Sequence, residues 1–146
     1  MSKPASPEGF TAKASSLEGF KPKPLVLVVD DHPMNTKLIA FVVRSRGLDV
    51  MTAASADEAW RAVAQTTPDV ILMDVQLPGT DGLALTRQLR ADARFATLPI
   101  VAVTAYAMES DRRAAYDAGC TGFVSKPIDT RALGDLVATL VGARRA

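Results

Sequence analysis

Apolar residues come in short unbroken runs along this chain, and the runs end in polar residues. Leu25-Val26-Leu27-Val28-Val29 leads into Asp30-Asp31, and Val70-Ile71-Leu72-Met73 leads into Asp74. Pro99 to Val103 leads into Thr104, and Cys120 to Ser125 leads into Lys126. Leu48 to Ala53 is a fifth, weaker run. Short apolar runs bounded by turn signals predict strands buried on both faces, as in a parallel sheet.

The segments between these runs carry helical signals. Pro33 follows Asp31-His32, where its missing N–H costs nothing, and Leu38, Phe41, Val42 and Ser45 share one helical face up to Gly47. Ser55-Ala56-Asp57-Glu58 reads as a capping box ahead of Ala59, Trp60 and Val63, and Pro68 stops that element. A third helix over Gly82 to Arg90 turns Leu83, Leu85 and Leu89 toward the sheet. Ser110 is the expected cap of a fourth helix through Arg112, Ala115 and Tyr116, closed by Gly119. Asp129 is the expected cap of a fifth, with Leu133, Leu136, Val137 and Leu140 inward. Five strands alternating with five helices imply right-handed crossovers. The fold class is therefore α/β: a doubly wound five-stranded parallel sheet with helices on both faces. The flavodoxin-like order 2-1-3-4-5 would set strands one and three side by side at the switch point.

Composition narrows this picture. The 146 residues suffice for one domain with a sizeable core, and 48% are hydrophobic. Residues 1–24 are rich in Pro, Ser and Lys, and are expected to form a flexible tail ahead of a domain over 25–143. The tail holds a weak repeat, Ser6 to Lys13 against Ser16 to Lys23, which reads as the biased composition of a flexible leader rather than as a doubled docking peptide. Four lysines against two glutamates give the tail a net +2, which leaves −1 for the rest of a chain of net charge +1. Nothing there draws nucleic acid or an anionic membrane. One cysteine allows no internal disulfide and fits a reducing cytoplasm. Cys120 is expected to be a small buried hydrophobe, Trp60 a packing residue, and Arg112 and Arg113 a solvated helix face.

The chemistry lies in the strand ends. In an open α/β sheet they meet at one edge, the usual place of the ligand crevice. Asp30, Asp31 and Asp74 would crowd together there, and their repulsion calls for a cation. Hard oxygen ligands suit Mg²⁺, which also accepts phosphate oxygens. Lys126 and the Thr104 hydroxyl are the groups a phosphoryl would need beside it. Asp74 could then act as a nucleophile that forms an aspartyl phosphate. His32 stands beside the acids, but imidazole suits Mg²⁺ poorly, so a loop histidine is expected.

This set resembles the response-regulator receiver domain over about residues 25 to 141. The matching motifs are Val29-Asp30-Asp31 with Pro33-Met34-Asn35, Ile71 to Gly79 with Asp81-Gly82, Val103-Thr104-Ala105, and Ser125-Lys126-Pro127. The phrases Val101 to Met108 and Phe123 to Ile128 are most similar to DivK-like, stand-alone cell-cycle receivers, and also occur in receivers of hybrid kinases.

The resemblance implies that Asp74 accepts phosphate from a sensor histidine kinase or a histidine phosphotransfer protein. It implies that Asp31, Asp74 and the Gln76 backbone carbonyl bind Mg²⁺, with Asp30 acting mainly through a water. Thr104 and the Ala105 N–H would hold phosphoryl oxygens, and Lys126 would pair with the charge, its bond to Pro127 being cis. Gln76 and Tyr106 occupy positions that tune the phosphate's lifetime, and Phe123 occupies the aromatic switch position without the hydroxyl of a tyrosine. A downstream protein target, or onward relay of the phosphate, would read the face of the fourth helix, fifth strand and fifth helix. The protein would be a monomer or a phosphorylation-dependent dimer, with no output domain of its own. Such a protein catalyses its own phosphorylation and dephosphorylation but is not otherwise an enzyme.

Two alternatives belong to other classes. One is a receiver-like binding module that is never phosphorylated; the intact set Asp30, Asp31, Asp74, Thr104 and Lys126 argues against it. The other is an aspartyl-phosphate hydrolase, which wants a second Asp two residues on, where Gln76 stands. A flavodoxin would need hydroxyls and Gly where Asp30-Asp31 would repel its phosphate.

Overall fold

The computed structural model describes residues 23–145. The expected tail and its weak repeat lie outside the described residues, apart from Lys23 and Pro24. Five strands are present: β1 (Leu25–Val29), β2 (Asp49–Ala53), β3 (Val70–Asp74), β4 (Ile100–Thr104) and β5 (Gly122–Ser125). The helices are α1 (Pro33–Ser45), α2 (Ala56–Gln65), α3 (Gly82–Ala91), α4 (Glu109–Ala118) and α5 (Thr130–Arg145), with a 3₁₀ turn at Ala93–Phe95. All strand pairs are parallel, in the order β2-β1-β3-β4-β5. No helix among the described residues is long and apolar enough to cross a membrane.

Strand alternation divides the interior in two. Leu27, Val29, Ile71, Met73, Ile100 and Ala102 point to the face covered by α2, α3 and α4. Val26, Val28, Val70, Leu72, Val101 and Val103 point to the face covered by α1 and α5, where Ile39, Val43, Leu133 and Val137 meet them. Side chains such as Leu27 and Ile71 are fully buried, and each contributes roughly 1.5–3 kcal/mol by leaving water. Cys120 is buried, and Trp60 packs edge-on against Phe95 at 6.1 Å between ring centres, both as expected.

Two helices differ from the sequence pattern. In α1 the buried residues are Ile39, Ala40, Val42 and Val43, whereas Leu38 and Phe41 face water. The chain offers two apolar stripes offset by one residue, and Val42 belongs to both. The start of the helix selects between them. Pro33 opens the first turn, and the Thr36 hydroxyl donates to the carbonyls of His32 (3.1 Å) and Asp30 (3.4 Å). In α4 the cap is Met108, with Ser110 already inside the helix. The Asp111 carboxylate reaches back to accept the Met108 N–H at 3.1 Å, so the helix begins one residue ahead of Ser110. At α5 Asp129 does cap, accepting the Ala132 N–H at 3.0 Å, and the helix continues to Arg145.

Asp69 joins the two ends of the domain. Its carboxylate accepts the Leu25 N–H at 2.8 Å and the Arg145 guanidinium at 3.0 and 3.2 Å. Burial alone would raise its pKa. The Arg145 and Leu25 hydrogen bonds and the charges of Arg145 and Arg144 outweigh burial and hold it below the usual 3.8. A depressed carboxylate adds stability that is complete above the unfolded pKa and is lost as pH falls through the folded one. Asp69→Asn is therefore expected to cost roughly 1–3 kcal/mol at neutral pH. It should cost almost nothing once acid has protonated the wild-type residue. Melting curves of both proteins across that acid range check this, and a penalty independent of pH would contradict it.

Candidate functional site

The sheet order brings the predicted strand ends to one edge. Asp30 and Asp31 follow β1, Asp74 closes β3, Thr104 closes β4 and Lys126 follows β5. β1 pairs with β3 through Val29 and Met73, Asp74 lies opposite Val103, and Thr104 lies opposite Ser125. The helix after β1 covers one face and the helix after β3 covers the other, so the crevice opens at the β1–β3 switch point. Beyond Asp74 the chain turns back: the Gly82 N–H donates to the Val75 carbonyl at 2.8 Å, and Asp81 caps α3 through the Leu83 N–H at 2.9 Å. A Cβ on Gly82 would collide with the Asp74 carbonyl oxygen, so only glycine allows this return.

The side chains of Asp30 and Asp74 are each only 2% exposed, and Asp31 is half-buried. Asp30 Oδ1 accepts the His32 N–H at 2.8 Å, and Asp74 Oδ1 accepts the Gln76 N–H at 3.1 Å. Lys126 Nζ stands 3.6 Å from Asp74 Oδ1 and 3.9 Å from Asp30 Oδ2. Lys126 thus stands within 4 Å of two of the three carboxylates. Burial pushes the Asp74 carboxyl above its usual range; the Gln76 N–H opposes this, the Asp30 charge adds to it, Lys126 opposes it and Asp31 adds to it.

Among the described residues, three buried side-chain oxygens have no hydrogen-bond donor: Asp30 Oδ2, Asp31 Oδ1 and Asp74 Oδ2. Unpaired buried carboxylate oxygens are costly, and a divalent cation satisfies such a set, directly or through its bound waters. The donor set therefore fits a hard metal ion.

The remaining predicted residues surround this pocket. Thr104 is buried, and its Oγ1 accepts the Tyr106 N–H at 3.0 Å, which leaves its own hydrogen free to donate. The Lys126 N–H bonds the Thr104 carbonyl at 2.8 Å, fixing the lysine beside β4. Ala105, Tyr106 and Gln76 are exposed on the rim. The Lys126–Pro127 bond is cis, as the resemblance implied. Phe123 is half-buried against the core on the α2–α4 face, and the Arg112 guanidinium stacks on its ring at 5.2 Å. Arg112 is thus not merely a solvated charge. His32 is the residue that sequence reasoning set aside. Its Nδ1 lies 3.2 Å from Asp31 Oδ1, 3.3 Å from Asp30 Oδ1 and 4.0 Å from Asp74 Oδ2. Its adjacency to the acid pair was the available signal.

The chain is similar to known response regulators. Response regulator Rre1 of Synechocystis is 38% identical over 122 residues, which are 83% of this chain and 53% of Rre1, so the chain spans about half the length of that relative. The polar-differentiation response regulator DivK of Brucella ovis is 33% identical over 117 residues, 80% of this chain and 95% of DivK. The receiver domain of a sensor histidine kinase from Pseudomonas aeruginosa, solved with a magnesium ion in its active site cleft, superposes with a TM-score of 0.76. It is 33% identical, over 83% of this chain and 99% of that one. The family model described as response regulator receiver domain matches residues 26–138. With the strand order and the clustered strand-end acids, these matches place the chain in the response-regulator receiver family.

Proposed function

We propose that residues 25–143 form a phosphorylation switch in which Asp74 takes a phosphoryl group from a phosphohistidine on a sensor histidine kinase or a histidine phosphotransfer protein. The observation that carries this is the contact of Lys126 with an Asp74 carboxylate whose second oxygen is buried without a hydrogen-bond partner. A carboxylate oxygen of Asp74 attacks phosphorus as the P–N bond breaks; the electron pair returns to the donor imidazole, which then takes a proton. Mg²⁺, held by Asp31, Asp74 and the Gln76 carbonyl with Asp30 behind a water, would offset charge on the phosphoryl oxygens. Lys126 supplies a positive charge on the other side, and the Thr104 hydroxyl and Ala105 N–H donate to the same oxygens. A cytoplasmic setting fits both the donor and the free thiol.

The direct test is intact mass after incubation with acetyl phosphate. One phosphoryl group is expected on the wild type with Mg²⁺, and none with a chelator or in Asp74→Asn. Equal labelling of both proteins would overturn the assignment.

The phosphoryl group also provides the switch. It offers the free Thr104 hydrogen a new acceptor, and drawing Thr104 inward moves Tyr106 and opens space toward Phe123. Without a hydroxyl, Phe123 holds an inward position by packing alone, and it must leave the Arg112 guanidinium to reach it. The α4-β5-α5 face changes with it, and a partner that binds one form better senses a shift of roughly 1–3 kcal/mol. Thr104→Ala is expected to keep Asp74 labelling but to abolish the effect of beryllofluoride on partner affinity. An undiminished response would rule out this route.

The donor must approach Asp74 in line, over the start of α1. There Met34, Leu38 and Phe41 are exposed, 78%, 40% and 73% respectively, so a carrier helix can rest on them without disturbing the core. Leu38→Asp is expected to slow transfer from the cognate donor about tenfold or more, with acetyl phosphate labelling retained. Parallel loss of both reactions would contradict the docking role.

A further inference from the structure

One cation of α4 rests on an aromatic ring instead of on an acid. The Arg112 guanidinium lies 5.2 Å from the centre of the Phe123 ring. Two acids, Glu109 and Asp111, share the first turn of the same helix. Arg113 takes Glu109 at 3.7 Å, and Asp111 accepts the Met108 N–H at 3.1 Å. Among the described residues Arg112 has no ion pair and no side-chain hydrogen bond, so the ring is its partner. The Arg112 N–H donates to the Met108 carbonyl at 3.0 Å. The guanidinium is therefore carried by the first turn of α4, directly after the loop that leaves Thr104.

The ring also has a defined direction in which to leave. β5 pairs with β4 so that Phe123 lies opposite Ala102 and Ser125 opposite Thr104. Alternation puts Ala102 and Thr104 on one face of the sheet, the face against which Phe123 packs. Ala102, the neighbour across the ladder, offers the half-buried ring a methyl group and nothing bulkier.

We propose that Arg112 is a latch: it holds Phe123 outward in the unphosphorylated protein and so sets how readily the domain takes its phosphorylated form. The inference rests on the phosphoacceptor reading of Asp74 and adds to it a positioning residue that touches neither the phosphoryl group nor a metal. The face of the ring attracts the guanidinium while the ring is outward. A ring turned in beneath Thr104 leaves the guanidinium behind, so the attraction favours one state alone. A ligand that selects the inward state works against that attraction, and its apparent affinity is lowered by the same factor. For an exposed cation on an aromatic ring the factor is roughly two to five. A purely electrostatic role for Arg112 makes the opposite prediction. Beryllofluoride is an anion, and removing a positive charge from this end of the domain weakens anion binding. Removing a latch strengthens it, so the sign of the change separates the two.

The test is the apparent affinity of the full-length protein for beryllofluoride in saturating Mg²⁺, followed by amide NMR. Arg112→Gln should bind it roughly two- to fivefold more tightly than the wild type. Arg113→Gln, which removes the same charge one residue along, should bind it no more tightly. In a Phe123→Leu background Arg112→Gln should bring no gain, because the ring that the guanidinium holds is gone. Three results would overturn the latch and leave the phosphoacceptor reading in place: unchanged or weaker binding in Arg112→Gln, an equal gain in Arg113→Gln, or a gain that persists in the Phe123→Leu background. Failure of every one of these proteins to take up beryllofluoride would contradict the phosphoacceptor reading itself, and the latch with it.

Discussion

Exchange of Asp74 for asparagine is expected to abolish phosphoryl acceptance and, at the same time, to make the metal-free protein more stable. The loss follows from the chemistry: an amide oxygen is not a nucleophile toward phosphorus under these conditions. The gain follows from the pocket. Three carboxylates share it with one lysine, and one oxygen of each has no donor. Like charges in a desolvated space repel, and orphaned buried acceptors cost roughly 1–3 kcal/mol each. Asparagine removes one negative charge, keeps the shape of the side chain and brings two N–H donors that can reach the oxygens of Asp30 and Asp31. Lys126 retains Asp30 as a partner at 3.9 Å, so no unpaired cation is left behind. The melting temperature without metal should therefore rise by a few degrees, corresponding to roughly 1–2 kcal/mol. Added Mg²⁺ should narrow the gap, because it stabilises only the protein with the full ligand set. A lower melting temperature for the variant in a chelator would show that the carboxylate contributes to folding.

Gly82→Ala should harm both fold and function. The added methyl would strike the Asp74 carbonyl oxygen, and would lie 2.9 Å from Val75 Cα and 3.0 Å from the Asp74 carbonyl carbon. All three are backbone atoms of Asp74, the last residue of β3, or of Val75 just after it, so no side chain can swing aside. Overpacking of this kind costs roughly 1–3 kcal/mol, and relief requires the end of β3 to move. A displacement of about 1 Å at a reacting carboxylate can cost about a hundredfold in rate. Gly79→Ala is the matched control. Gly79, unlike Gly82, has a positive φ, 77°, and a Cβ there meets nothing within 4 Å. It should cost about 1 kcal/mol and leave labelling near normal. Thermal melts with acetyl phosphate labelling rates for both variants decide the matter; normal labelling in Gly82→Ala would show that β3 can adjust.

The strands were legible because their signal is local. β1 and β3 begin and end where the apolar runs do, and the acids that stop them are the acids of the site. The alternation of strand and helix led to the order β2-β1-β3-β4-β5, and that order explains why residues as distant as Asp30 and Lys126 meet. The rotation of α1 was not legible. Leu38-Phe41-Ser45 and Ile39-Val42-Val43 make comparable stripes, and only the turn after β1 and the packing against α5 choose between them. The start of α4 escaped for a similar reason: a serine at a cap position was outweighed by a carboxylate reaching back from Asp111. His32 lies in the turn after β1 as expected, but that its Nδ1 points toward Asp30 and Asp31 could not be read from residue type. Likewise the three unpaired oxygens exist only once the chain is folded, and they are the feature that distinguishes a cation pocket from a run of surface acids.

The central claim is that Asp74, rather than its acidic neighbours, carries the phosphoryl group. Borohydride reduction of the protein after treatment with acetyl phosphate and Mg²⁺ converts an acyl phosphate to an alcohol at the residue that held it. Peptide mass mapping should then locate the change at Asp74 alone, with Asp30 and Asp31 intact. A reduced side chain at Asp30 or Asp31, or none on a protein that has gained a phosphoryl group, would contradict the account.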